Sequence, residues 1–292
     1  MMTADLHDQP GALPNKPSRR TALLAMLAML AIIAVVDVPV RLIAERIIAD
    51  NAADWPYNPA VTRIAGMAVI RLLEVAAVLL GLALLFRLTR YGSFADLGLA
   101  RAKLGWLPVG IATPLVALIL AALIAYATGL LPVTRLLFPG PWPLFLVLAV
   151  SVHVAIIEEI AFRGVLMQGI ERMSNKTAAI LVSGALFGAL HLLAPFDLTW
   201  PWWITVFAAG FGLGWAFYAA GRALWLTIGL HFGFSLGVFL LLGLPGETRG
   251  WLHWANSGPN PALSAQAGSV MLIGLFLTAA PLLLVLRRRV KE

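Results

Sequence analysis

An all-α bundle of membrane-spanning helices is the fold class this sequence predicts, and three observations carry that prediction. Apolar residues make up 61% of the 292-residue chain and charged residues only 12%, with a mean hydropathy of +0.89, well outside the soluble range. The apolar residues gather in about eight runs, near 21–40, 64–88, 106–130, 142–166, 177–195, 201–220, 223–243 and 268–286, most of them as long as a bilayer is thick. Between most runs stand residues that break helices, as in Asp54-Trp55-Pro56-Tyr57-Asn58-Pro59, Pro139-Gly140-Pro141, Ser174-Asn175 and Gly258-Pro259-Asn260-Pro261.

Residues 1–20 are polar, carry three prolines and end in Lys16-Pro17-Ser18-Arg19-Arg20, which reads as a disordered tail. The first run has a positive flank like a signal peptide. It lacks a small-x-small cleavage site and is followed by more spans, so it is expected to remain as an anchor. The membrane domain then covers 21–286, and 287–292 form a basic tail. Gly221-Arg222 is the shortest connection and implies an antiparallel hairpin of spans six and seven.

Basic residues orient the bundle. One side holds Lys16, Arg19 and Arg20; Arg87, Arg90, Arg101 and Lys103; Arg163, Arg172 and Lys176; Arg222; and Arg287, Arg288, Arg289 and Lys291. The other side holds only Arg41, Arg46, Arg63, Arg135 and Arg249. The richer side is cytoplasmic by the positive-inside rule, so both termini are expected there. Trp200, Trp202, Trp203, Trp251 and Trp254 fall at the opposite edges, where an aromatic belt belongs. Because the cations flank spans instead of forming a stripe, the net charge of +7 does not indicate nucleic acid. With no cysteine, disulfides, thiolate metal sites and cysteine nucleophiles are excluded. Gly229, Gly233 and Gly237 in span seven, with Gly184 and Gly188 in span five, mark faces where helices can approach closely.

Chemistry is expected where charge is buried in these runs. Glu158 and Glu159 stand together in apolar sequence, and a carboxylate in hydrocarbon costs several kcal/mol. On a helix Arg163 lies one turn from Glu159 and can neutralise it, whereas Glu158 is turned away by about 100°. His191 in span five and His231 in span seven are also deep, with Ser235 one turn beyond His231. Either histidine alone reads as a packing residue. Two histidines and a carboxylate pair on separate spans are more simply explained by one interior site, because polar groups in lipid turn inward and meet. Arg71 and Glu74 read as a self-neutralising pair, and His153, about 140° round the helix from Glu158, as a packing or supporting group.

Glu158-Glu159-Ile160-Ala161-Phe162-Arg163, then Phe187 to His191, then His231 to Ser235, together resemble the CAAX-protease and bacteriocin-processing family, also labelled Abi proteins or type II CAAX prenyl endopeptidases. The likeness covers about 142–240, the expected protease core. It implies an intramembrane endopeptidase in which Glu158 activates water, His191 and His231 complete the site, and Glu159 and Arg163 form a supporting ion pair. Ser235 stands where the family usually has Asn, and its shorter hydroxyl weakens the expected stabilisation of the transition state. Burial raises a carboxylate's pKa towards a general base's working range. Glu158, His191 and His231 are also a donor set that could hold zinc or another divalent metal.

His-Glu-x-x-His is absent, Ser183 lacks the glycine two residues before it that a serine intramembrane protease would carry, and Ser235 beside His231 offers a poor line of attack. The expectation is therefore a CAAX-protease-like enzyme, possibly metal-dependent in mechanism, acting on a membrane-associated protein or peptide within a lipid bilayer, in a bacterial cytoplasmic membrane. The alternatives are a catalytically silent scaffold or regulator, which Ser235 favours, and a transporter with a proton path through Glu and His. One difficulty stands. At about 1.5 Å per residue, Glu158 and His231 lie roughly 12 Å from the inner edges of their runs and His191 roughly 21 Å, so a shared site needs other boundaries or tilted helices.

Overall fold

The computed structural model describes residues 59–89, 92–193, 199–245, 248, 250–255 and 264–289, with 20, 23–24, 26–32, 34–35 and 46 of the first segment. Its long helices are α1 (Pro59–Thr89), α2 (Trp106–Ala127), α3 (Pro141–Glu159, continuing through Met173), α4 (Lys176–Leu190), α5 (Trp200–Ala219), α6 (Leu224–Leu242) and α7 (Ala265–Arg289). Among the described residues, six of these are long and apolar enough to cross a membrane, all but α4. The first predicted span is described only in part, although Met26 and Met29 are buried in the core beside α3. The tail of 1–19 and the Gly258-Pro259-Asn260-Pro261 loop lie outside the described residues.

Two boundaries differ from the sequence-based expectation, and the differences remove the depth problem. The fourth run does not stop near 166, because Ile160–Met167 form a π-helical stretch that passes into Gln168–Met173. The fifth is a helix of 15 residues followed by a short turn at His191–Leu193. Asn175 starts it by accepting a hydrogen bond from the Ala178 amide at 2.9 Å. At about 1.5 Å per residue α4 is roughly 22 Å long, short of the hydrocarbon thickness of roughly 30 Å. Counted from Met173, Glu158 also lies roughly 22 Å along its helix, so the carboxylate and His191 reach one depth.

Helix α6 runs through the middle of the bundle, packed on α2 and α3, while α1 covers α3, α4 pairs with α5, and α7 bridges α2 and α5. The glycine stripes create this arrangement. A Cβ at Gly229 would lie 2.6 Å from the Leu107 carbonyl oxygen and 2.9 Å from the Gly110 Cα, so α2 and α6 touch backbone to backbone. A Cβ at Gly210 would lie 2.7 Å from the Gly184 carbonyl oxygen, closing α5 onto α4 in the same way.

The expected α5–α6 hairpin is present, with Gly221 at φ 65° and Arg222 at φ 62°. A left-handed arginine costs about 1–2 kcal/mol. It is held by Arg222 Nη2 donating to Glu171 Oε1 at 2.7 Å and by its amide donating to the Phe217 carbonyl at 2.7 Å. Lys103, in the turn before α2, donates to the Gly221 carbonyl; burial and the neighbouring Arg222 charge lower its pKa from the usual lysine value. At the other end, β1 (Val133–Leu136) and β2 (Leu252–Trp254) form an antiparallel ribbon with Arg135 opposite His253. The ribbon corrects the reading of Trp254 as part of an exposed belt, because its place in β2 leaves it 4% exposed, whereas Trp200 is exposed.

Candidate active site

Every one of the three motifs contributes to a single cavity of about 1110 Å³ whose lining includes Glu158, Phe187, His191, His231 and Ser235. Glu158 and Glu159 sit at the end of the regular part of α3, immediately before its π-helical stretch. Such wide turns recur at functional sites because they re-aim side chains without ending the helix.

Glu159 and Arg163 form the expected ion pair, with Arg163 Nη1 donating to Glu159 Oε1 at 2.7 Å and both side chains fully buried. Arg163 Nη2 donates to the Gly210 carbonyl at 2.9 Å, fastening α3 to α5. The guanidinium also lies over the Phe187 ring, 4.5 Å from its centroid. Phe187 is the hub of the site. Its ring packs against Phe162 at 5.1 Å, His191 at 4.9 Å and His231 at 5.9 Å between centroids.

The hydrogen bonds assign the imidazole tautomers. His191 Nδ1 lies 2.8 Å from the Phe187 carbonyl oxygen, which can only accept, so Nδ1 carries the proton. His231 Nδ1 lies 3.1 Å from Glu159 Oε1 and donates to that carboxylate. In the neutral form of each ring Nε2 is therefore the acceptor. His231 Nε2 is 3.9 Å from Glu158 Oε2, beyond a hydrogen bond but close enough for one water to serve both. Glu158 keeps 27% of its side-chain exposure, whereas Glu159 keeps none. The two adjacent carboxylates thus have different surroundings: Glu159 is consumed by Arg163 and His231, and Glu158 faces the cavity.

The donor types suit a divalent metal, but the placement does not. Among the described residues no three His, Asp or Glu side chains come together closely enough to hold an ion. The Phe187 ring packs against both imidazoles. No step below is routed through a metal.

A second polar group on the same wall was read more modestly from sequence. Arg71 Nη1 donates to Glu74 Oε2 at 2.9 Å, as expected for the pair, and His153 Nε2 approaches the same oxygen at 3.1 Å. Arg71 and His153 both line the cavity. His153 is therefore not mere packing; its partner sits on α1, a contact that spacing along one helix could not reveal. Trp202, expected in the belt, also lines the cavity.

With this geometry in view, residues 140–237 match the family model for type II CAAX prenyl endopeptidases, Rce1-like. This segment belongs to the CAAX-protease family. No curated protein matches the chain. The matched segment runs from the start of α3 to the middle of α6 and contains all three motifs of the CAAX-protease site. It sits within an integral membrane protein whose remaining described helices close the cavity from α1, α2 and α7.

Proposed function

We propose that this protein is an intramembrane endopeptidase that hydrolyses a peptide bond of a membrane-associated protein or peptide, with Glu158 as general base. The observation that carries this reading is the division of labour between neighbours. Glu159 is neutralised and fully buried, while Glu158, next in sequence, stays on the cavity wall 3.9 Å from His231. A carboxylate is costly at this depth, and the site spends a second one on holding His231 in a single tautomer.

In the proposed reaction a water between Glu158 and the Nε2 atoms gives its proton to Glu158 as its oxygen attacks the carbonyl carbon. Glu158 then passes that proton to the leaving nitrogen as the C–N bond breaks, and the products are a new carboxylate and a new amine. His191 and His231 orient the water through their acceptor nitrogens. The Ser235 hydroxyl is the donor placed to stabilise the developing oxyanion.

The test is cleavage of membrane-proximal peptides by purified protein in detergent or lipid. Glu158→Gln should lower kcat by about 10²–10⁴ with folding unchanged. Cleavage that survives the substitution would remove Glu158 from the role of base. A wild type that cleaves none of the peptides would favour the scaffold or regulator reading.

A further inference from the structure

Five residues before Glu158 on α3, the cavity wall carries His153 together with Arg71 of α1. Arg71 and His153 meet on one oxygen of Glu74, at 2.9 and 3.1 Å, and that carboxylate is fully buried. Glu74 therefore acts as a strut fixing two donor-bearing side chains from different helices. Arg71 keeps 18% of its side-chain exposure. A guanidinium has five N–H donors in a planar fork suited to two acceptor oxygens. In a cavity otherwise walled largely by Leu, Val, Phe and Trp, such a fork most favours an anionic oxygen pair.

Its position defines what it would read. Five residues of helix separate His153 from Glu158 by about 7.5 Å along the axis. An extended peptide advances about 3.3 Å per residue, so the group at Arg71 would belong to a residue two or three positions from the scissile bond.

We propose that Arg71, steered by Glu74 and His153, is a subsite for a carboxylate of the peptide substrate, two or three residues from the bond that is cut. The carboxylate comes from either the free C-terminus of the peptide or an acidic side chain at that position. This rests on the endopeptidase reading above. Arg71 here selects the substrate, and Glu74 and His153 are positioning residues.

The experiment uses the full chain in detergent micelles and two matched peptide pairs. One pair ends two or three residues beyond the cleaved bond, as acid or as amide. The other carries Asp or Asn at that position within a longer chain. Wild type should prefer the acid or the Asp member by about 10- to 100-fold in kcat/KM, the worth of a charge-assisted bidentate contact, and the favoured pair identifies the source. In Arg71→Gln that ratio should fall to about one, and Arg71→Lys should restore part of it. Should Arg71→Gln fail to fold with Glu74 left unpaired, Arg71→Gln/Glu74→Gln serves the same comparison.

No preference in either pair, as expected if a lipid phosphate occupied Arg71, would overturn the subsite. So would a preference that Arg71→Gln leaves intact. Binding of the same peptides to Glu158→Gln, followed by tryptophan fluorescence from Trp202 and Trp215 in the cavity, separates this proposal from the reaction. Preferential binding by a protein whose wild type cuts nothing would sink the endopeptidase reading and leave the carboxylate site standing. Binding without preference would sink the site.

Discussion

Replacing Arg163 with Met keeps most of the side chain's length and removes its charge from a place with no solvent. Glu159 is fully buried, and it loses the 2.7 Å bond from Arg163; α3 loses its tie to the Gly210 carbonyl, and Phe187 loses the cation at 4.5 Å. His231 at 3.1 Å remains as a partner for Glu159. Breaking a buried pair from one side costs about 3–5 kcal/mol, chiefly because the surviving charge is left uncompensated. The Glu159→Gln/Arg163→Met double variant leaves no such charge and should recover about 1–3 kcal/mol of that loss, the usual coupling of contacting residues. The assay is reversible unfolding by SDS from mixed micelles, followed by tryptophan fluorescence, for wild type, both single variants and the double. A single Arg163→Met cost below about 1 kcal/mol would refute the claim that a buried charge is stranded. A double-variant cost equal to the sum of the two singles would refute the coupling.

Gly229→Ala should destabilise the bundle by about 1–3 kcal/mol, because its Cβ would sit 2.6 Å from the Leu107 carbonyl oxygen on α2; Gly212→Ala, which meets nothing within 4 Å, is the matched control in the same unfolding assay. Ser235→Asn supplies a longer amide donor one turn from His231 and should raise kcat by about tenfold or more, as read from peptide cleavage at saturating substrate. An unchanged or lower kcat would remove position 235 from oxyanion stabilisation. His231→Gln, which cannot hold an imidazole tautomer for Glu159 to fix, should lower kcat by about 10²-fold or more while KM changes little.

The membrane class, the approximate helix positions and the identity of Glu158, Glu159, Arg163, His191, His231 and Ser235 were legible in the sequence. Burying a charge in lipid is so costly that each such residue stands out against apolar neighbours. The Glu159–Arg163 pair followed from helical spacing, and the close approaches at Gly229 and Gly184 followed from residue size. Composition could not reveal where α3 ends, because the π-helical stretch after Glu159 is as apolar as the helix before it. Nor could it show that α4 falls short of a full span, since hydropathy measures burial and not length of regular structure. The contacts of His153 with Glu74, of Arg163 with Gly210 and of Phe187 with both imidazoles join residues far apart in the chain. Sequence determined which polar groups must be hidden from lipid; only the packing of helices from different parts of the chain decided which of them meet, and left Glu158 facing the cavity while Glu159 was neutralised beside it.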